Sequence, residues 1–461
     1  MTVDAGQRPS LTVASGLLGL SSIASRLATL VVMALLARGA GAEAVGHYGL
    51  ATLSASFTAA ALSFGLVTHL TREAAAGKVP ADEVARLHAG RLVLFALVVL
   101  LAWPVTAVAL DPAVRGALLL FFAASLLEQW NETAWVLVRG TGRAWREAAV
   151  NGGAGAVLVA GCALAALHGG LTLDRAAVLV LTAAVVRSGA ALAATGAWRV
   201  RPARVAVRAR LRASLPYFAA DLLGLVYFRG DVFVLALFVT AAEVGSYVAA
   251  AGIVGPAVQV AASMGVGALA FAARRGDSDP GDEPAAIYRF FRLAGTAAAG
   301  VLLVALPVGV TVLFGSAPEV LTLTAVLGLF LALRFANYGL SAILLAGGRA
   351  GSRLLVLVYS VGGNVLLNLL LDGTYGAAGA AWATVLTELV VAGSMLWFIH
   401  DRGLLRPVLA GIAMVAAAAT VLVVVGRFGT TAAVLTTGVL LLGLAAAQAL
   451  RTRGPVPAEA R

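Results

Sequence analysis

Apolar runs of about twenty residues recur along this chain from Leu11 to Leu450, separated by little more than short turns and arginine-bearing connections. Each run is long enough to cross a hydrocarbon core of about 30 Å. Fourteen spans can be drawn, at 12–36, 45–69, 89–110, 114–138, 148–168, 174–198, 214–239, 246–271, 288–314, 320–346, 353–371, 377–399, 405–425 and 431–449. Only 12% of the residues are charged, where a soluble chain carries about 25%. The runs do not alternate polar with apolar, so a transmembrane β-barrel is excluded. The expected fold is an all-α polytopic membrane protein with about fourteen transmembrane helices.

Arginine placement sets the expected topology. With the N-terminus inside, 25 of the 33 Lys and Arg fall on cytoplasmic segments. Only Arg38, Arg115, Arg175 and Arg427 face outward, and Arg26, Arg187, Arg229 and Arg334 lie within spans. Both termini are then cytoplasmic. The net charge of +11 is spread over short loops rather than gathered in a patch, which argues against a nucleic-acid partner. A bacterial plasma (inner) membrane and a monomer are expected. The first run, Leu11 to Leu36, is longer than a signal-peptide core and contains Arg26, so an uncleaved first helix is expected.

The chain also repeats. Val45-Gly46-His47-Tyr48 returns as Val244-Gly245-Ser246-Tyr247, about 199 residues later and again just after an apolar run. The expected organisation is therefore a six-helix lobe at 1–198, a basic cytoplasmic linker at 199–213, and a second six-helix lobe at 214–399. Residues 400–461 add a helix pair and a tail. Two six-helix copies share one orientation, and carriers built this way bind cargo between the halves near mid-membrane.

Several chemistries can be set aside. The lone Cys162 excludes an intramolecular disulfide, and the five histidines have no metal-ligand spacing. No cofactor is called for, and no metal. Outward loops are too short to present the carboxylates of a lipid-linked-sugar transferase, so an enzyme is not expected.

Nine charges lie inside spans and clear of their ends: Arg26, Glu128, Glu132, Arg187, Asp221, Arg229, Asp231, Arg334 and Glu388. Facing lipid, each would cost about 2.5–3.5 kcal/mol, roughly 20–30 kcal/mol together. They must face an interior. Internal ion pairing is one reading, since four arginines meet five acids. The other is a wet cavity in which arginines grip phosphate through paired N–H donors while carboxylates bind a coupling proton or Na⁺. Glu128 and Glu132 stand four apart on one helix face. Asn337, Asn364 and Asn368 line a cavity or bridge helices, and Trp130, deep in its span, could stack on a sugar.

Motifs then point to a family. Asn364-Val-Leu-Leu-Asn368 with Tyr375-Gly-Ala-Ala-Gly-Ala-Ala-Trp-Ala-Thr384 and Glu388 resembles spans 11–12 of bacterial polysaccharide flippases. These belong to the multidrug/oligosaccharidyl-lipid/polysaccharide exporter superfamily. Arg229-Gly-Asp231 with Val244-Gly-Ser-Tyr247 is similar to their spans 7–8. Ala37-Arg38-Gly-Ala, Gly46-His-Tyr48-Gly49, Phe64-Gly-Leu66 and Thr71-Arg72-Glu73 match their beginning. Ser25-Arg26 is similar to the span 1 arginine of lipid II flippases. Leu371-Asp372-Gly stands where the family usually has an Ile-Pro turn.

The resemblance implies alternating access by two lobes that carry undecaprenyl-pyrophosphate-linked oligosaccharide to the outer leaflet, driven by H⁺ or Na⁺. The substrate-binding candidates are Arg26, Arg187, Arg229, Arg334, Asn337, Asn364, Asn368 and Trp130. The ion-coupling candidates are Glu128, Glu132, Asp221, Asp231 and Glu388. The alternative on the same fold is a cation-coupled drug or metabolite antiporter.

Overall fold

A computed structural model describes residues 11–75, 81–109, 112–139, 144–195, 207–273 and 283–452. Among them the secondary structure is helical throughout, in the order α1 (Leu11–Ser63), α2 (Leu66–Ala75), α3 (Ala81–Ala109), α4 (Pro112–Arg139), α5 (Ala144–Leu167), α6 (Leu173–Thr195), α7 (Val207–Leu235), α8 (Ala241–Ala273), α9 (Glu283–Phe314), α10 (Pro318–Ala346), α11 (Ala350–Ile399), α12 (Arg402–Gly426) and α13 (Thr430–Thr452). Ten of these helices are long and apolar enough to cross a membrane. The chain is a multi-pass, all-α membrane protein. Helices α4 and α7 are not among the ten; α4 carries Arg115, Glu128 and Glu132, and α7 carries Asp221, Arg229 and Asp231 within its apolar run.

Two helices are too long to be single spans. At a rise of 1.5 Å per residue, 53 residues in α1 would reach about 80 Å and 50 in α11 about 75 Å. Each is broken by a glycine in a conformation that side chains resist. Gly41 has φ 85 and ψ 174, and Gly376 has φ 55 and ψ −139. The first break falls on the last residue of Gly39-Ala40-Gly41, between the spans drawn at 12–36 and 45–69. At the other site the helix does not stop at Leu371. It continues through Asp372-Gly373, a dipeptide that usually signals a turn, and breaks only at Gly376.

The central linker divides in two. Residues 199–206 lie outside the described set, whereas Val207 onward forms the first turns of α7. Arginine is a good helix former, so Arg208, Arg210 and Arg212 do not oppose that extension. Of the polar stretch 276–284, residues 276–282 also lie outside the described set.

The chain forms two compact units, Met1–Arg229 and Gly230–Arg461. In unit 1, α4 packs against α6, α3 and α1, and α1 also packs on α5. In unit 2, α10 is the axis, enclosed along most of its length by α8, α9 and α11. Close approach there depends on small residues. A Cβ at Gly328 of α10 would lie 2.8 Å from Leu303 Cδ2 of α9, and one at Gly438 of α13 would lie 2.9 Å from Val304 N.

Candidate functional site

In unit 1 a polar seam joins α4 to α6. Arg187 Nη1 donates to Glu128 Oε1 at 2.7 Å, and Asn131 Nδ2 donates to Ser188 Oγ at 2.8 Å. The helix period explains the register, since 128 and 131 are one turn apart on α4 while 187 and 188 are adjacent on α6. The Glu128 side chain keeps 39% of its surface exposed, against 12% for Arg187. Buried Tyr48 lies within electrostatic reach of Glu128, Arg187 and Arg229. Arg229 is exposed near the end of α7, and Arg26 is exposed along the first half of α1.

The other unit 1 candidates are bound more closely to their surroundings. Glu132 lies within electrostatic reach of Arg91, whose guanidinium donates to Thr133. Trp130 is buried, stacked on His88 with centroids 4.0 Å apart, and its indole N–H donates to the His88 carbonyl at 2.6 Å. Asp221 is exposed on α7 and accepts from Thr68 at 3.1 and 3.3 Å.

Unit 2 holds a second ion pair of different character. Arg334 Nη2 of α10 meets Glu388 Oε1 of α11 at 3.2 Å, with side chains 8% and 1% exposed. Asn337 Nδ2 donates to Glu388 Oε2 at 2.8 Å and to its carbonyl at 2.9 Å. Arg334 also lies over the Phe330 ring. Asn364 Nδ2 donates to Thr387 Oγ1 at 3.1 Å, and Asn368 Nδ2 donates to Asn364 O at 2.7 Å. Arg334, Asn337, Asn364, Asn368 and Glu388 are thus all buried and joined by hydrogen bonds or ion pairs within this unit.

Beside them is a cluster of oxygens with no matching donors. Both carboxylate oxygens of Asp372 and Asn368 Oδ1 are buried and accept no hydrogen bond. The two residues stand four apart on α11 and share a face. Asp231 of α7 lies within electrostatic reach of Asp372. Asp231 caps Val232 N at 2.9 Å and accepts from the Tyr247 hydroxyl, which in turn is 3.4 Å from Thr384 Oγ1. An unpartnered buried acceptor is costly, and a buried carboxylate more so. Such an oxygen-rich set is suited to a hard cation or a proton.

No protein-family model matches this chain, and no curated protein sequence matches it. Solved structures do. The lipid II flippase MurJ, in an inward closed conformation, aligns over 96% of this chain and 99% of its own, with TM-score 0.68 and 12% identity. An inward-facing multidrug resistance MATE family transporter of the MOP superfamily covers 84% and 96%, with TM-score 0.64 and 16% identity. A MOP superfamily transporter from Pyrococcus furiosus, described as having a binding pocket of reverse polarity, covers 86% and 98% at TM-score 0.55 and 15% identity. The fold is that of MurJ and the MATE transporters.

On this MurJ-like scaffold the residue that sequence reasoning passed over is Asp372. Its position before a glycine reads as a turn, yet it is a buried helical residue. The signal was present: Asn364, Asn368 and Asp372 form a polar stripe at four-residue spacing on an otherwise apolar helix. Tyr247 and Thr384, quoted only as parts of motifs, join the same cluster.

Proposed function

We propose that this chain is a cation-coupled carrier that moves an anionic, lipid-linked oligosaccharide across a bacterial inner membrane by alternating access. The observation that carries this reading is the exposure of Arg26 and Arg229 on helices of unit 1, Arg26 within a stretch long and apolar enough to cross a membrane. Guanidinium groups at such depth cost too much to face lipid, and their paired donors match pyrophosphate. The part-open Glu128–Arg187 pair of the same unit adds a third guanidinium. The coupling ion is assigned to Asp231, Asp372 and Asn368 in unit 2, where acceptor oxygens outnumber donors. The likeness to MurJ, a lipid II flippase, supports a lipid-linked cargo. Arg334 and Glu388 serve each other in this reading rather than the cargo.

The test is complementation of a flippase-deficient bacterial strain, with protein level followed by blot. Arg26→Ala and Arg229→Ala should abolish growth rescue at normal protein level, and the Lys variants should rescue partially, since charge remains but the two-pronged geometry is lost. Full rescue by both Ala variants would sink the cargo assignment. Failure of the unaltered chain to rescue, together with cation-dependent efflux of soluble drugs, would turn the reading to antiport.

A further inference from the structure

At one end of unit 2 the start of α9, the end of α11 and the start of α12 are fastened together by arginines. Arg292 Nη1 of α9 donates to the Pro407 carbonyl of α12 at 2.8 Å. Arg349, in the turn before α11, donates to the carbonyls of Phe398 and Ile399, the latter at 2.8 Å, just ahead of α12. Arg353 Nε donates to Ser341 Oγ at 2.9 Å. These three guanidiniums hold helix ends.

Three more arginines at the same end have no such task. Arg289 lies one turn before Arg292, Arg406 immediately precedes Pro407, and Arg402 opens α12. All three are exposed and, among the described residues, meet no carboxylate. Residues 288–295, 346–353 and 400–411 hold these six arginines and one acid, Asp401. That acid is already engaged, accepting from Gly403 N at 2.7 Å as the cap of α12. Arginine bias toward one face of a membrane explains which side the cluster lies on. It does not explain why three fixed arginines are joined at this end by three exposed ones that meet no carboxylate among the described residues.

The surroundings identify the counter-charge. Trp397, at the end of α11, is 74% exposed and lies 6.2 Å from the His400 ring, as aromatic residues do at the headgroup level. Phe290, Leu405 and Leu409 are exposed large apolar side chains on the same stretches of α9 and α12. A ligand that satisfies both features has a phosphate at the arginines and acyl chains along the apolar flank. Inorganic phosphate would gain nothing from that flank. We infer that Arg289, Arg402 and Arg406 form a binding site for an anionic glycerophospholipid headgroup at the membrane surface where α9 and α12 begin. The site is separate from the proposed cargo and coupling residues, and its readout is lipid binding, so it stands or falls apart from the transport reading.

The experiment uses the purified full chain, stripped of lipid and titrated with phosphatidylglycerol, phosphatidylcholine or soluble glycerol phosphate. Bound lipid is counted by native mass spectrometry. Phosphatidylglycerol should bind at least tenfold more tightly than phosphatidylcholine. The triple variant Arg289→Gln/Arg402→Gln/Arg406→Gln should lose that preference. Arg427→Gln, at the far end of α12, should leave it unchanged. Should the triple variant fail to fold, Arg402→Gln and Arg406→Gln singly should each weaken phosphatidylglycerol binding several-fold. Retained preference in the variants, equal binding of the two lipids, or displacement of phosphatidylglycerol by equimolar glycerol phosphate would overturn the proposal.

Discussion

Glu128–Arg187 in unit 1 and Arg334–Glu388 in unit 2 are built from the same two residue types, yet the first keeps 39% of its carboxylate side chain exposed and the second 1%. The closed pair has its charges satisfied from several sides. Asn337 donates twice to Glu388, and the guanidinium lies over Phe330. Breaking such a pair strands a charge, whereas replacing both members together need not harm the fold. The open pair makes one short ion-pair contact and leaves acceptor surface to spare. Similar chemistry thus divides into a fastening in one unit and an accessible group in the other, and exposure decides which.

The largest effect is expected at the closed pair. Glu388→Ala and Arg334→Ala should each lower unfolding stability by about 3–5 kcal/mol, seen as loss of protein from membranes and a lower thermal midpoint in detergent. The double variant Arg334→Met/Glu388→Leu should recover most of that loss, because no charge is then stranded. A double variant as unstable as the worse single would show that the pair is not what joins α10 to α11.

The next effect concerns the unmatched oxygens near this pair. If Asp372, Asn368 and Asp231 hold Na⁺, adding Na⁺ should raise the thermal midpoint of the wild-type chain. Saturation at one hundred times Kd corresponds to about 2.7 kcal/mol. Asp372→Asn keeps the shape and removes the charge, so it should fold as well as wild type without Na⁺ and gain nothing when Na⁺ is added. The same Na⁺ response in both proteins would remove Asp372 from the coupling site. No response in either, with a response to acid in the wild type alone, would assign the cluster to a proton.

These two sites show what the sequence could and could not disclose. Apolar run length and punctuation made the helices legible, including the break at Gly41. Among the charges inside spans, whose cost in lipid demands an interior, Arg334 and Glu388 are buried as expected, whereas Arg26, Asp221 and Arg229 are exposed. Which charge meets which was not legible. Four arginines and five acids permit many pairings, and the choice is made by the facing of α4 on α6 and of α10 on α11. Asp372 was hidden for a different reason. Asp-Gly favours a turn locally, but packing keeps the helix intact until Gly376 can take a positive φ. A four-residue polar stripe on an apolar helix would have been the better guide there.

The smallest effect on stability, and the sharpest contrast with Glu388, is expected at Glu128. Its side chain keeps 39% of its surface exposed and makes a single ion-pair contact, so Glu128→Gln should cost clearly less stability than Glu388→Ala. The amide can still accept from Arg187 through its carbonyl oxygen, so the α4–α6 seam should persist, supported by Asn131 and Ser188. Function should respond otherwise. With the acid gone, Arg187 is freed from its counter-ion, and a negatively charged cargo near Arg26 and Arg229 meets a more positive surface. Binding of such cargo should tighten while its release slows, so turnover should fall at undiminished protein level. Measuring complementation beside the thermal midpoint separates the cases. A variant that transports normally would show Glu128 to be a bystander. One that loses as much stability as Glu388→Ala would show both pairs to be fastenings, and exposure would no longer distinguish them.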